Sequence, residues 1–306
     1  MWFKNLQLYR LHDSAPLEEG RLADALPEHV FRPVTGVEAK RIGWVAPGGR
    51  NSDLLVHEIQ GHFLISALRQ ERVLPSAVVK EELEERVAER ETAEGRPLRR
   101  REKLTLKEQI YEELLPRAFT RSSRTDLWWD SRRGLIAVNA SNAKRAEEVL
   151  DLLRQTLGTL KVTPLAVAQP PSLVMTTWLK DVSSRPEDLI VGDQVELKAP
   201  GGEDGVLRAR QFDLDGEEIQ TALNLGRVVS KLALEVDGRV ALVLGEDMAL
   251  KSLKFADAVV DEANAQDDGE DPILRLETDF ALMAQVLSGV IEQMTAWLGG
   301  EAQPAS

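Results

Sequence analysis

The segment from residue 125 to residue 167 constrains the fold of this chain more than any other. Its pattern predicts a hairpin, a helix and a strand, at residues 125–140, 142–157 and 160–167. One side of the helix is apolar, formed by Ala146, Val149, Leu150 and Leu153. Gly158 follows as a typical helix end. This order predicts a helix packed on a sheet, in an α+β or α/β fold.

Similar patterns recur on both sides of this segment. Before it we predict strands at residues 2–11, 40–46, 54–60 and 62–68, and helices at 16–26, 75–95 and 105–115. After it we predict strands at 194–198, 205–212, 227–236, 239–244 and 250–255, and helices at 172–180, 215–223 and 276–298. Ser172 is the predicted cap of its helix, and Asp237-Gly238 predicts a two-residue hairpin turn.

Breaks in these patterns suggest a division of the chain. Gly95-Arg96-Pro97 interrupts two polar helices, which predicts an arm that projects from a body. Gln169-Pro170-Pro171-Ser172 is the best internal boundary. We therefore predict an N-terminal part of the body at residues 1–74, a helical arm with a basic tip at 75–125, the continuation of the body at 126–168, and a C-terminal α+β part at 172–306.

The most unusual charge pattern lies in residues 96–133. This stretch holds eleven Lys or Arg against six Asp or Glu, in a chain whose formal net charge is −13. Residues 257–301, by contrast, hold eleven acidic residues and one basic residue. Such segregation allows one positive surface on an acidic protein, and a polyanion such as nucleic acid is its first candidate ligand. The competing interpretation of a basic run is a solvated helix face.

Phe119 and two smaller basic groups bear on the same question. Phe119 stands between Arg117 and Arg121, where it contacts either nucleic acid, another subunit or the body of its own chain. Arg208 and Arg210 share one face of a predicted strand. Arg227 and Lys231 are expected to share one as well.

Signatures of catalysis are missing from the sequence. The chain has no Cys, no phosphate-binding loop and no Gly-x-Ser-x-Gly elbow. His57 and His62 are spaced wrongly for a zinc helix, and we expect two partly exposed histidines there. The acidic residues 267–271 predict a solvated loop. No apolar run approaches the roughly 20 residues of a membrane helix. We therefore expect no metal, no cofactor and no membrane partner, in a cytoplasmic protein.

Several motifs resemble one known family, the bacterial recombination-associated RdgC proteins. They extend along nearly the whole chain: the start WFKNLQLYRL, IGWVAP at residue 42, LPSAVVK at 74, LLPRAF at 114, KRAEEVLDLLRQTLG at 144, RVVSKLAL at 227, LKF at 253 and WLGGEAQ at 297.

This resemblance implies a non-catalytic protein that binds single- and double-stranded DNA without sequence specificity. It implies an elongated, horseshoe-like α+β monomer that pairs into a ring-shaped homodimer around DNA. It also implies association with the nucleoid and restraint of the RecA recombinase. The residues we expect to contact DNA are Arg96, Arg99, Arg100, Arg117, Arg121, Arg124, Arg208, Arg210, Arg227 and Lys231. Phe119 is expected at a tip or dimer contact.

Two other functions stay open. The protein could inhibit the recombinase by direct contact through its acidic C-terminal surface. It could also be a metal-dependent nuclease whose carboxylates cannot be chosen from sequence.

Overall fold

A computed structural model describes residues 2–13, 20–199, 205–265 and 271–302. Its helices are α1 (Arg21–Ala25), α2 (Ser76–Glu94), α3 (Arg100–Leu114), α4 (Ala143–Leu157), α5 (Pro171–Lys180), α6 (Glu217–Asn224), α7 (Asp257–Ala265) and α8 (Pro272–Trp297). Its strands are β1 (Gln7–Leu11), β2 (Lys40–Val45), β3 (Val56–Ile59), β4 (His62–Val73), β5 (Phe119–Asp130), β6 (Leu135–Val138), β7 (Val162–Pro164), β8 (Leu189–Lys198), β9 (Val206–Arg210), β10 (Val228–Val236), β11 (Val240–Gly245) and β12 (Leu250–Phe255). The predicted acidic loop at 267–271 lies almost entirely outside the described residues.

Two antiparallel sheets organise the chain, which confirms a mixed α/β fold with antiparallel sheets. The N-terminal sheet has the order β2-β4-β5-β6-β1-β7, with β3 also paired to β4. The C-terminal sheet has the order β12-β11-β10-β8-β9. Helix α4 packs on one face of the N-terminal sheet, where Val149 and Leu153 meet Trp129 and Ile65.

Helix α8 lies between the two sheets and joins their cores. Met283 and Leu287 of α8 belong to one apolar cluster with Trp128 of the N-terminal sheet and Leu232 of the C-terminal sheet. Burial of such large side chains contributes roughly 1.5–3 kcal/mol each. The helix therefore acts as a shared core element rather than as a peripheral tail.

Local signals placed two elements correctly. The side chain of Asn142 accepts a hydrogen bond from Arg145 N at 3.0 Å, which begins α4, and Gly158 ends it with φ 75°. Asp237 and Gly238 have φ 55° and 59°, the left-handed values that a type I′ hairpin turn requires. The predicted helix and the predicted hairpin are both confirmed.

Several predicted boundaries were wrong. Helix α3 begins at Arg100, not near residue 105, because the Glu102 side chain accepts a hydrogen bond from Arg99 N at 2.7 Å and stabilises an earlier start. Ser172 is not a cap, since Pro171 already occupies the first turn of α5. The strand predicted at 160–167 is shorter than expected, since β7 spans only Val162–Pro164. Helix α7 was not expected from the sequence pattern.

The two histidines are buried, which corrects the expectation of partial exposure. The turn at Gln60 and Gly61 returns the chain from β3 into β4, and α8 packs against both strands. His57 Nδ1 lies 2.9 Å from Glu277 Oε1. His62 Nδ1 accepts a hydrogen bond from Trp128 Nε1 at 3.2 Å. These contacts give both side chains structural partners.

None of the helices within the described ranges is both long enough and apolar enough to cross a membrane.

Strand β5 continues without a break across residue 125, the predicted end of the arm. The division into domains otherwise stays a prediction.

Candidate nucleic-acid interface

The arm is a hairpin of α2 and α3 that turns at Gly95, with φ 65°. Arg96, at this turn, forms ion pairs with Glu94 at 2.6 Å and with Glu102 at 2.7 Å. Its charge is therefore largely compensated. Arg99 and Arg100 are exposed at the beginning of α3. Of the three DNA contacts predicted near this turn, these two remain accessible to an external anion.

The predicted basic tip at residues 117–124 is mostly strand. Arg117 lies in a single 3-10 turn and Phe119 begins β5, which pairs with β4 along its whole length. Side chains alternate along a strand, so Arg121 and Arg124 point to opposite faces. This end of the predicted arm is therefore strand, and Arg121 and Arg124 do not form one cluster. The backbone of this stretch already has a sheet partner, and that pairing sets the side-chain directions.

Both arginines of this strand have acidic neighbours. Arg121 forms an ion pair with Glu71, its cross-strand partner. Arg124 donates to Asp126 Oδ1 at 2.7 Å and to the Pro47 carbonyl at 2.8 Å. The Phe119 side chain is 89% exposed, the highest value among the large apolar residues of the described chain.

A further basic surface lies on the C-terminal sheet. Leu232, Leu234 and Val236 of β10 face the helices, so the alternate residue Lys231 faces away from them. Register places Arg208 beside Glu196, and Glu196 beside Lys231. Arg208 and Arg210 therefore share a face with Lys231. We call this side of the sheet the open face.

A bulge extends the open face across the edge strand β12. The pairing of β11 with β12 shifts between Ala241 and Val243, which face Lys254 and Lys251. Ala241 and Val243 are two residues apart and share a face, so Lys251 and Lys254 share it too. The lysines are three residues apart, and simple alternation would have separated them. They were absent from the sequence prediction for this reason.

The open face carries an excess of positive charge. Its cations are Lys198, Arg208, Arg210, Lys231, Lys251 and Lys254, and its nearby carboxylates are Glu196, Glu235 and Glu246. Glu196, Arg208, Lys231 and Lys251 line a shallow cavity of about 280 Å³. From β9 to β12 the sheet spans four strand spacings, about 19 Å.

Glu196 holds two of these cations in place. Its carboxylate accepts hydrogen bonds from Lys231 Nζ at 2.9 Å, from Arg208 Nε at 2.8 Å and from Ser230 Oγ at 3.0 Å. Burial alone would raise the pKa of Glu196, but these hydrogen bonds outweigh it and hold the pKa at about 2. The side chain thus stays charged and orders the neighbouring cations.

Replacement of Glu196 by glutamine should reduce the acid sensitivity of the fold. The lowered pKa means that the carboxylate stabilises the folded state fully above pH 4.5, and that this contribution is lost as pH falls toward 2. We expect wild type to lose about 1–3 kcal/mol more than the variant across that interval, measured by urea unfolding. Glu235→Gln is the matched control and should behave as wild type. Equal pH profiles for wild type and Glu196→Gln would contradict this role.

The position of Arg227 differs from the predicted one. It precedes β10 and its Nη1 donates to the Gly205 carbonyl at 3.3 Å. A bulge between Val229 and Lys231 brings Val228 into register with Lys198, on the open face. The alternation expected from Arg227 to Lys231 is therefore interrupted, and the two do not share a face.

The dimensions of the open face indicate what kind of contact it can make. A sheet about 19 Å wide is too broad for the DNA major groove, which is about 12 Å wide. Its lysines and arginines could still reach phosphates along a strand backbone. Phosphate contacts position a protein on nucleic acid without reading the bases.

Comparison with known proteins identifies the family. Residues 1–301 match the family described as "RdgC: Putative exonuclease, RdgC". The chain is 41% identical over 306 residues to the "Recombination-associated protein RdgC" of Tolumonas auensis, covering 98% of this chain and 99% of that protein. It is 40% identical over 303 residues to the protein of the same name from Yersinia pestis, covering 99% of each. This chain belongs to the RdgC family.

Proposed function

We propose that this protein binds DNA through the phosphate backbone, without sequence specificity, and modulates homologous recombination by limiting the access of the RecA recombinase to DNA. The observation that carries the proposal is the open face of the C-terminal sheet. It gathers six cations on one surface of a chain with a net charge of −13. Segregated charge of this kind attracts a polyanion that the protein as a whole would repel.

The role in recombination rests on the relatives. Proteins 40–41% identical over nearly the full length are named recombination-associated. A protein that covers phosphates along DNA competes with any other protein that assembles on the same strand. Competition for DNA therefore connects the open face to recombination without a direct contact between the two proteins. In this proposal the protein is cytoplasmic and associated with the nucleoid.

The proposal includes a ring of two chains. We propose that two horseshoe-shaped copies pair so that their basic faces line a central hole. Phe119 supports a contact at the arm, because a phenyl ring that is 89% exposed at the base of a projecting hairpin is a suitable anchor for a second copy. Lys and Arg residues facing such a hole would contact duplex or single-stranded DNA.

A direct contact with the recombinase remains the alternative. Its supporting observation is the acidic surface formed by Asp257, Asp261 and Glu262 on α7. Binding of purified recombinase in the absence of DNA would favour this alternative. Binding to naked DNA, with no affinity for the free recombinase, would favour the main proposal.

The proposal is tested by binding to unrelated DNA sequences. We expect dissociation constants for several duplexes of equal length to agree within about threefold, because phosphate contacts are the same in every sequence. The measurement is fluorescence anisotropy at constant salt, with single-stranded oligonucleotides in parallel. A single duplex bound tens of times more tightly than the others would contradict backbone recognition.

The family description raises the question of nuclease activity. Among the described residues, no group of three or more His, Asp or Glu side chains is arranged to hold a metal ion. We propose that the protein acts by binding and not by catalysis. End-labelled linear DNA incubated with magnesium or manganese should keep its length, whereas progressive shortening would overturn this part of the proposal.

A further inference from the structure

A second basic cavity lies on the N-terminal sheet, where α4 begins beside β4 and β5. Its volume is about 640 Å³. On the α4 side of the sheet its charged lining consists of four cations and two carboxylates: Arg69, Arg121, Lys144, Arg145, Glu71 and Glu148. Only one of the four, Arg121, was expected from the sequence to contact DNA. The excess of cations within one concave site requires a compensating anion or strong solvation.

Arg145 is the central group of this cavity. Its Nε donates to Thr125 Oγ1 at 2.8 Å, and its Nη2 donates to the Ser123 carbonyl at 2.8 Å and to Ser123 Oγ at 2.7 Å. All three acceptors are neutral, and Nη1 makes no hydrogen bond within the described chain. Burial lowers the pKa of Arg145 and the nearby Arg69 guanidinium adds to this effect, while Glu148 and Glu71 offset only part of it. The side chain is thus held rigidly in a site that disfavours its charge.

The two carboxylates are engaged by other cations. Glu71 pairs with Arg69 at 2.6 Å and with Arg121. Glu148 lies 3.4 Å from Arg69 Nε and 3.3 Å from Lys40 Nζ. Lys144 is exposed and forms no ion pair with any described residue. The positive charge of Lys144 and Arg145 is therefore the part of the cavity that no direct ion pair neutralises.

The start of α4 adds two donors beside these side chains. Asn142 caps the helix by accepting from the backbone N–H of Arg145, and its carbonyl accepts from Ala146. The N–H groups of Ala143 and Lys144 make no hydrogen bond in the described ranges. First-turn N–H groups together with the helix dipole favour an anion at this end of a helix.

We propose that this cavity binds a phosphate group, with Arg145 and Lys144 as its main ligands. The ligand we favour is a phosphate of a bound nucleic-acid strand, so the source of the phosphate rests on the proposed function. Phosphate suits the site because its several oxygens can accept from a guanidinium, an ammonium and backbone N–H groups at once.

The position of the cavity supports a nucleic-acid source. Asn5 lines it, and Asn5 Oδ1 accepts a hydrogen bond from Ser252 N at 3.3 Å. Ser252 lines the cavity of the open face. Asn139, also in the lining, accepts from Asn5 N at 3.2 Å. The two basic surfaces are therefore separated by one short segment, and a single strand could contact both.

The test uses pyrophosphate as a probe and DNA as the second ligand. For the full chain, pyrophosphate at about ten times its dissociation constant should raise Tm by roughly 2–3 °C. Lys144→Glu and Arg145→Gln should both abolish this shift. For DNA, Lys144→Glu should lower the affinity about 5- to 10-fold and reduce the salt slope by about 1.

The control is Lys161→Glu, an equal charge change on an exposed residue beyond the other end of α4, roughly 20 Å away. Lys161→Glu should leave both the pyrophosphate-induced Tm shift and the DNA affinity unchanged. Lys144→Glu is the decisive variant because it should fold like wild type: Lys144 is exposed and makes no side-chain hydrogen bond in the described chain.

The outcomes separate this site from the proposed function. Loss of both the Tm shift and the DNA affinity in Lys144→Glu supports a strand phosphate. Loss of the Tm shift with DNA affinity unchanged supports a phosphate site but overturns its nucleic-acid source. An unchanged Tm shift and unchanged DNA affinity in Lys144→Glu overturn the site, even where wild type binds DNA. Failure of wild type to bind any DNA overturns the proposed function and, with it, a nucleic-acid strand as the source of the phosphate. If pyrophosphate still raises the Tm of wild type in that case, and Lys144→Glu abolishes the rise, the site binds a free phosphate ligand.

Discussion

Replacement of Arg210, Lys251 and Lys254 together by glutamate should lower the affinity for duplex DNA by on the order of 100-fold at 50 mM salt. All three lie on the open face, and none forms an ion pair within the part of the chain that the structure describes. They are therefore free to contact phosphates. Each phosphate contact releases counterions, so the slope of log affinity against log salt should fall by about 3. Anisotropy titrations between 50 and 200 mM salt measure both quantities.

The control for this prediction compares single substitutions of equal charge. Lys254→Glu alters the open face, whereas Lys180→Glu alters an exposed position on α5, which packs on the opposite side of the sheet through Trp178 and Met175. We expect a loss of about fivefold for Lys254→Glu and almost none for Lys180→Glu. If both variants lose affinity equally, net charge and not the open face would govern binding.

Replacement of Asp130 by alanine should destabilise the fold by about 3–5 kcal/mol. Asp130 is fully buried at the end of β5. Its Oδ1 accepts from the backbone N–H groups of Arg132 and Arg133, each at 3.1 Å, and its Oδ2 accepts from Ser288 Oγ of α8 at 3.0 Å. Alanine would leave the buried Ser288 hydroxyl and the two partly buried N–H groups without acceptors. The free energy of unfolding in urea is the measurement.

A double-mutant cycle shows whether Asp130 joins the sheet to α8. Asp130→Ala and Ser288→Ala should have a coupling energy of about 1 kcal/mol or more, because the two side chains are hydrogen-bonded in a buried site. Asp53→Ala, at an exposed position of the same N-terminal part, should cost less than about 0.5 kcal/mol. Additive effects of the two buried substitutions would show that the Asp130–Ser288 contact does not contribute to stability.

Elements with a local physical cause could be predicted from the sequence. The α4 helix follows from its apolar side, its Asn142 cap and Gly158. The turn at Asp237 and Gly238 follows from the left-handed conformation that those residue types accept. In both cases the deciding interactions lie within a few neighbouring residues, so the sequence contains all of the information.

Elements that depend on pairing could not be predicted in this way. Residues 119–124 carry charges and hydroxyls that favour a loop, but their backbone pairs with residues 68–73 of β4. This pairing turns Arg121 and Arg124 to opposite faces. The bulge in β12 likewise decides that Lys251 and Lys254 lie on the open face. The partner strands are distant in sequence, and nothing in the local pattern specifies register.

The candidate site likewise combines features that the sequence determines with features that depend on the tertiary structure. The sequence established that an acidic chain contains concentrated basic segments, and the similarity of its motifs indicated the family. It also placed Arg208 and Arg210 on one face, since two residues on one regular strand share a side. Only the tertiary structure decided which cations are neutralised, such as Arg96 by Glu94 and Glu102, and which remain available. Net charge depends on composition alone, whereas the charge of a surface depends on which side chains the sheets and helices bring together.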